Sequence, residues 1–533
     1  MATLERWHPA FELSEQEEFL IGRLTRVRKL LGFLRRHRHE LIDDAFQEQL
    51  EGMYRAGGGK DPIAPGLMAM ATLVQGYLGV SDAEMVELTV VDLRVQMVLG
   101  CLGTTKPPFS QGALQNFRER FIAEDMDRRL LERTYKLARE TGEFDAKKLP
   151  KTLRVAMDSS PLEGAGRVED TVNLLAHAAR KVAESAATLL GWSLERLCQE
   201  AKIPCLLAPS AKKALDADWN DPAAKSEALN RLCSEFDSLE AWVLHKLPEE
   251  RAKPPLKMHL ETLEQIRNQD LEPDPGGGGL RIREGVAPDR RVSIEDAQMR
   301  HGRKSKSRRF NGYKRHIAAD LDTDLILACA LTPANRPEEE AAPALNADIK
   351  RQGLGIAKLL IDRGYVNSSV VDEVLSQRGE VVCKPWRPTN KKLFSKTAFK
   401  VNIRDRTVAC PAGQSQHFEL GASIEFDPEF CDHCQQRAEC TSAEPGQGRS
   451  LSIAENEALQ QRLRKLQASA SGREQLRERT GIEHRLAHIT QRQGRRARYK
   501  GTRKNEFDLR RAASIQNLET LHRRIEPELR KAA

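Results

Sequence analysis

The chain is 533 residues long, 40% hydrophobic and 30% charged, with 35 Gly, 25 Pro and a formal net charge of +8. That is core material for about three or four folded units joined by substantial loops. No window approaches roughly 18 uninterrupted apolar residues and the opening MATLERWHPAFELSEQEEF lacks a signal-peptide core, so a soluble, unexported, cytoplasmic protein is expected. Six of the ten cysteines stand singly (Cys101, Cys198, Cys205, Cys233, Cys329, Cys383), the pattern of reduced core thiols rather than of a disulfide framework.

Residues from about 13 to 145 read as helices, broken by the loop AGGGKDPIAP. Gly79 marks a helix stop, and Ser81 with Glu84 three residues later has the signature of a capping box. Ser110 is placed to cap a short helix carrying Gln111, Gln115, Asn116, Arg118 and Arg120. Two short helices around a tight turn fit either a helix-turn-helix DNA reader or a plain helical bundle. Residues 1–150 are accordingly expected to form a helical N-terminal domain, with DNA as its partner.

From Leu153 the texture changes to strands. TLRVAMDSS is a short apolar run ending at Asp158, and GYKRHIAADLDTDLILACALTPAN is a hairpin turning near Asp322-Thr323. AKLLIDRGY ends on Asp362, and GEVVCKPW follows after the helix SSVVDEVLSQR. An insertion at about 171–295, helical and closing on the flexible linker PDPGGGG, separates the first strand from the hairpin. Without it, the order strand, hairpin, strand, helix, strand is that of a mixed sheet with one crossover. The fold class expected for residues 151–533 is α+β, a ribonuclease-H-like core carrying the helical insertion and a Cys-rich insertion at about 400–450.

Positive charge is concentrated in two places. Arg473 to Arg511 holds thirteen Lys/Arg against five Asp/Glu, and Arg300 to His316 holds eight Lys/Arg and no acid, so the remainder of the chain is slightly acidic. Such stretches are either solvated faces or seats for a polyanion. Arg300, Arg303, Lys304, Lys306, Arg308 and Arg309 lack alternation and apolar partners, which predicts a mobile basic loop that orders on DNA phosphates; Lys314 follows it. Arg479, Arg492, Arg495, Arg496, Arg498 and Lys500 form the second group.

In a ribonuclease-H-like sheet the first and fourth strands are neighbours, so Asp158 and Asp362 point into one crevice. Close carboxylates repel unless a cation lies between them. Magnesium or manganese takes oxygen ligands, and a pair of such ions about 4 Å apart activates the attacking oxygen and stabilises the leaving one in phosphoryl transfer. Glu483 in RERTGIEHRLAHITQRQGRRARYKG is the leading third acid, with Glu478 and Asp320 as rivals; Thr480-Gly-Ile-Glu483 also fits a capping box that would leave Glu483 bonding its own helix end. Either aspartate alone also fits a turn or cap.

The cluster Cys410, Cys431, Cys434 and Cys440, with His417 or His433 as substitute ligands, suits a tetrahedral structural zinc site; reduced thiols in a small β-rich insert are the alternative. Trp386 and Tyr365 are each placed either to stack on a flipped base or simply to pack.

MDSSPLEGAGRVEDT, GYKRHIAADLDTDLILACALTPANRPE, LLIDRGY and RTGIEHRLAHI, in that order over nearly the whole chain, resemble bacterial insertion-sequence transposases of the DDE class, in the group with a helical N-terminal domain and a Cys-bearing segment before the last acid. The resemblance implies that Asp158, Asp362 and Glu483 are the catalytic ligands of two magnesium or manganese ions, with Asp158 and Asp362 sharing one ion. It further implies a transposase that cleaves double-stranded DNA at terminal inverted repeats and joins the freed 3′ hydroxyl to target DNA, as a homodimer associated with the nucleoid. A metal-dependent nuclease and a decayed DNA-binding copy are the rival readings. The chain departs from the family pattern around the last acid. Related proteins place a Tyr three residues before the Arg at 479 and a Lys seven after the Glu at 483, where this chain has Leu476 and Thr490, so either the phosphate contacts pass to neighbours such as His488 or Arg492 or activity is reduced.

Overall fold

In a computed structural model of the chain, the described residues are 5–532 apart from 55–61, 141–151, 278 and 306, with side chains described as far as 525. Lys306 therefore lies outside the described residues. The N-terminal region is helical from Glu15–Arg23 to Met126–Glu140. Its starts follow local chemistry. Ser14 and Glu17 form a reciprocal capping box; Ser81 accepts from the Glu84 N–H and Ser110 from the Ala113 N–H. Gly79, at φ 77°, closes the helix Pro65–Leu78 in the left-handed conformation that glycine adopts without strain.

These helices do not close a core of their own. Leu34, Phe46, Leu73, Met97 and Phe121 share one cluster with Leu153, Leu327, Leu345, Ile515 and Leu518, so the N-terminal region covers one face of a sheet. That sheet has strands β1 (Thr152–Glu163), β2 (Arg300–Arg303), β3 (Arg309–Asp320), β4 (Ile326–Pro333), β5 (Gly355–Leu360) and β6 (Glu380–Val382). Across it the order is β4, β3, β1, β5, β6, with β2 sharing the outer side of β3 with β4. β1 is antiparallel to β3 and parallel to β5, and β5 is parallel to β6. The two-residue side-chain period assigns the faces: Val155 and Met157 face the N-terminal helices, while Ala156, Ile317 and Leu360 face helix Thr480–Gln493 and part of the closing helix Thr502–Ala532.

Two expectations are corrected. The basic residues from Arg300 are not a loop: Arg300–Arg303 pairs with Arg309–Gly312 as a hairpin, and Arg300 is drawn onto Asp289 at 2.9 Å. PDPGGGG is a hairpin turn rather than an interdomain linker, joining Leu271–Pro273 to Leu280–Ile282. Asp274 Oδ1 accepts from Gly276 N at 3.0 Å, and Gly277 and Gly279 supply the positive φ that the reversal needs.

The inserted helices between Thr171 and Asp270 pack around Val182, Leu197, Leu232, Phe236 and Leu263, separately from the sheet. The Cys-bearing segment is a third small unit. Strands Lys400–Asn402, Thr407–Ala409 and Ser415–His417 form one sheet, and Ser423–Glu425 pairs with Ser450–Ser452 around Val408, Phe418, Phe426 and Leu451.

The closing helix ties the first helices to the sheet. Arg510 reaches Asp125 at 2.6 Å and Asp127 at 3.3 Å on the N-terminal side. Asn517 Oδ1 accepts from Ile326 N at 2.8 Å, while Nδ2 donates to Ile326 O at 2.8 Å and Thr134 Oγ1 at 3.0 Å. One buried amide thus satisfies both polar groups of a strand residue. Each buried group left without a partner costs about 1–3 kcal/mol, so Asn517→Leu should lower the urea midpoint of the sheet transition by a corresponding amount; an unchanged midpoint would contradict this role.

Candidate active site

The parallel pairing of β1 with β5 runs to Ala156 opposite Leu360 and stops there, while β1 continues against β3 to Glu163, which also bridges Arg496. Asp158 is therefore not at a strand end, as expected, but at the point where its parallel neighbour has ended. Asp362 lies two residues beyond β5, where its Oδ1 accepts from Arg363 N at 2.8 Å and starts the 3₁₀ turn Arg363–Tyr365. Both aspartates thus stand past the carboxyl end of the parallel pair.

Glu483 comes from helix Thr480–Gln493, held to the sheet by buried Ile482, Leu486 and Ile489. Its far end is fixed by Arg315 of β3, a fully buried guanidinium that donates to Ser160 Oγ (2.9 Å), Pro161 O (2.9 Å), Gln493 Oε1 (3.0 Å) and Gly494 O (3.1 Å). Part of the charge in the first basic stretch is thereby spent clamping the helix of Glu483 to the strand of Asp158.

Asp158, Asp362 and Glu483 line one pocket of about 500 Å³, together with Arg303, Lys304, Lys314, Glu338 and Arg479. Arg479 bridges two of the acids, donating to Asp158 Oδ2 at 2.8 Å and Glu483 Oε1 at 2.7 Å. Glu483 is thus held by a side chain, and Arg479, the residue before the helix, receives no side-chain cap; the capping-box alternative does not apply. Burial pushes the Asp158 carboxyl up to about 6; Arg479 opposes this, and Asp362 and Glu338 add to it. Among the described residues no three His, Cys, Asp or Glu side chains stand close enough together to hold an ion as they are. The guanidinium occupies the space between Asp158 and Glu483. The donors are nonetheless of the class that hard divalent cations take, and the site carries more carboxylates than Arg479 alone neutralises.

The rival acids lie elsewhere. Glu478 is paired with Arg154, and Asp320 is buried in the β3–β4 turn, accepting from Thr323 Oγ1 at 2.6 Å.

The basic residues divide. Arg303 and Lys304 rim the pocket, and Lys314 lines it with Nζ on Arg336 O at 2.7 Å. Arg308, Arg309, Arg495 and Arg498 are exposed. Arg492 is spent on Glu519 at 2.6 Å, Lys500 on Glu295 at 3.0 Å, and Arg496 on the carbonyls of Gly164 (3.3 Å) and Ala165 (3.2 Å). Neither Arg492 nor His488 lines the pocket that Thr490 lines. Leu476 instead opens on an adjoining groove of about 340 Å³ lined by Lys384, Arg473 and Arg477, with Arg479 and Glu483 common to both. Arg473 and Arg477 were legible only as members of the second basic stretch, Lys384 gave no signal, and Glu338 was legible only as one member of the acidic run PEEE.

Tyr365 is fully buried with its hydroxyl 2.7 Å from His316 Nδ1, so it packs rather than stacking on a base; Trp386 is 48% exposed. Cys410, Cys431, Cys434 and Cys440 line a small cavity of about 20 Å³, unpaired by disulfides, whereas neither His417 nor His433 lines it.

The chain matches the Transposase DDE domain over residues 287–518 and the Transposase domain (DUF772) over residues 26–120. No curated protein and no solved structure matches it. A mixed sheet with an acid pocket behind a helical N-terminal region, joined to these two matches, defines a DNA-cutting and DNA-joining enzyme. Both matches are to transposase domains and support an insertion-sequence transposase of the DDE class, a family whose members act on DNA and generally use divalent metal ions. Asp362 and Glu483 fall inside the matched DDE segment; Asp158 precedes it and reaches them through the pairing of β1. Among the described residues no helix is long and apolar enough to cross a membrane.

Beneath the pocket, burial pushes the His316 imidazole down to about 3, and both ring nitrogens are engaged, Nδ1 by Tyr365 and Nε2 by Thr332 Oγ1 at 2.9 Å. A folded-state value below the unfolded one near 6.5 means that the unfolded chain takes up the proton first, so stability is lost as pH falls below about 6.5. His316→Gln should therefore show a smaller drop in melting temperature between pH 7 and pH 5 than the parent chain. Parallel curves would show that His316 does not carry this acid sensitivity.

Proposed function

We propose that the chain cuts DNA at the terminal inverted repeats of an insertion sequence and joins the ends to target DNA, using two magnesium or manganese ions held by Asp158, Asp362 and Glu483 on a ribonuclease-H-like core. The observation carrying this reading is the single pocket that receives a carboxylate from β1, one from the end of β5 and one from the helix Thr480–Gln493. The strand order β4, β3, β1, β5, β6, with parallel ladders on the β1–β5–β6 side and antiparallel ones on the other, supports the ribonuclease-H-like assignment.

When bound, the ions supply a polarised attacking oxygen and a stabilised leaving oxygen for in-line displacement at phosphorus. The chain's own residues arrange the rest. With the ions bound, Arg479, now paired with Asp158 and Glu483, would be free to pair with a DNA phosphate, and Arg303, Lys304 and Lys314 would hold the phosphates on the hairpin side. Arg473, Arg477 and Lys384 extend this basic track beyond Glu483. Bringing two element ends together calls for a homodimer on double-stranded DNA.

Asp362→Asn should retain binding to end-sequence DNA and lose both nicking and strand transfer by at least a hundredfold; retained cleavage would remove Asp362 from the chemistry. A supplied pre-cut end separates the transposase from a nuclease on the same core, because only the former yields joined products.

The four thiols form the second proposed metal site, a structural zinc in the lobe around Phe418 and Phe426. About one zinc per chain should be released on thiol modification, and Cys431→Ser with Cys434→Ser should abolish it. Absence of zinc from protein purified without chelator would leave the lobe held by its apolar core alone.

A further inference from the structure

Glu338 lies in a 3₁₀ turn, Glu338–Ala341, between β4 and helix Ala342–Arg351. Of the three consecutive glutamates there, it alone lines the pocket of Asp158, Asp362 and Glu483. Its carboxylate is anchored beside both strand acids. Oε1 accepts from the hydroxyl of Ser159, the residue after Asp158, at 2.5 Å. Oε2 stands against Gly364, two residues after Asp362, where an added Cβ would overlap it. The turn containing Asp362 thus carries a glycine where the Glu338 carboxylate needs the space.

A structural contact to Ser159 requires only a neutral acceptor. A carboxylate in that place is costly, because it adds negative charge beside Asp158; among the described residues Lys314 attracts it through space without an ion pair, its Nζ being bonded to Arg336 O. A cation in the pocket turns that cost into attraction. We propose that Glu338 is a fourth carboxylate ligand of the divalent-ion site, reaching it from the turn after β4 and oriented by Ser159. The proposal rests on the metal-centre reading above.

The test is Mn²⁺ binding to the full-length protein, followed by electron paramagnetic resonance of the free ion, in the parent chain, Asp362→Asn and Glu338→Gln. The glutamine keeps an acceptor for Ser159 and removes only the charge, and matching thermal melts verify its fold. Glu338→Gln should weaken Mn²⁺ binding about tenfold or more, alongside the loss in Asp362→Asn. If Asp362→Asn loses the ion and Glu338→Gln binds it as the parent does, the fourth-ligand role is overturned while the metal centre stands. If the parent binds no Mn²⁺, or Asp362→Asn binds it equally well, the metal-centre reading falls and this proposal with it. A second measurement needs no variant: Fe²⁺ with ascorbate, which cuts backbone near its ligands, should cleave the parent chain around 338 as well as around 158 and 362. Cuts confined to the latter two segments would overturn the assignment.

Discussion

Everything at the pocket follows from placing like charges where a parallel strand pair gives out. Main-chain pairing fixes Asp158, and Asp362 follows two residues after the paired end of β5, so the two carboxylates open into one pocket, and Asp362 adds to the rise in the Asp158 carboxyl. The chain meets part of this repulsion with Arg479, shared between Asp158 and Glu483. A guanidinium on a helix end is a movable counter-charge, because its partners are side chains and its release breaks no main-chain hydrogen bond. The arrangement is thus stable with the arginine in place and receptive to a stronger cation.

The rigidity behind the pocket comes from groups that never face it. Arg315 spends four hydrogen bonds on β1 and on the far end of the Glu483 helix, so the two elements cannot slide past one another without orphaning a buried guanidinium. Asn517 does the same for the outer strand and the closing helix. Because the N-terminal helices share their core with the opposite face of this sheet, a region matched as a separate transposase domain is mechanically part of the acid-bearing body. Events at the exposed residues Gln115 and Asn116 therefore have a packed route to the strands, through Phe117 and Phe121 on the same helix.

The sheet was legible because each strand is a short apolar run bounded by a turn, and the β3–β4 reversal shows plainly at Asp322-Thr323. Helix starts at Ser81 and Ser110 were legible for the same local reason. What sequence periodicity does not carry is which partner a charged side chain finds. Arg315 reads like its neighbour Lys314, yet the two-residue period turns it to the opposite face, where it is a buried clamp. Arg492 and Lys500 read as phosphate contacts and are spent on Glu519 and Glu295. Glu338 sits in an acidic run that suggests only a solvated turn, and its place beside Asp158 follows from β4 returning along β3, a long-range fact. The glycine run misled for a different reason: composition reports flexibility in an unfolded segment, whereas Asp274 and positive φ at Gly277 and Gly279 fold it into a tight hairpin.

The distance along the chain between Asp158 and the matched DDE segment has a physical reading too. Closing a loop costs about (3/2)RT ln n, so inserting over a hundred residues between adjacent strands adds only a few kcal/mol. The inserted helices offset that by burying their own core around Phe236 and Leu263, independent of the sheet. The register of β1 against β3 then needs nothing from the insertion except that its two ends lie close together, and they do: Gly164 N donates to Asn311 O at 2.8 Å, and Asp296, near the insertion's return, accepts from the buried Tyr313 hydroxyl of β3 at 2.6 Å. The first acid can therefore be remote in sequence and fixed in space, because the strand pairing, not the intervening chain, holds it there.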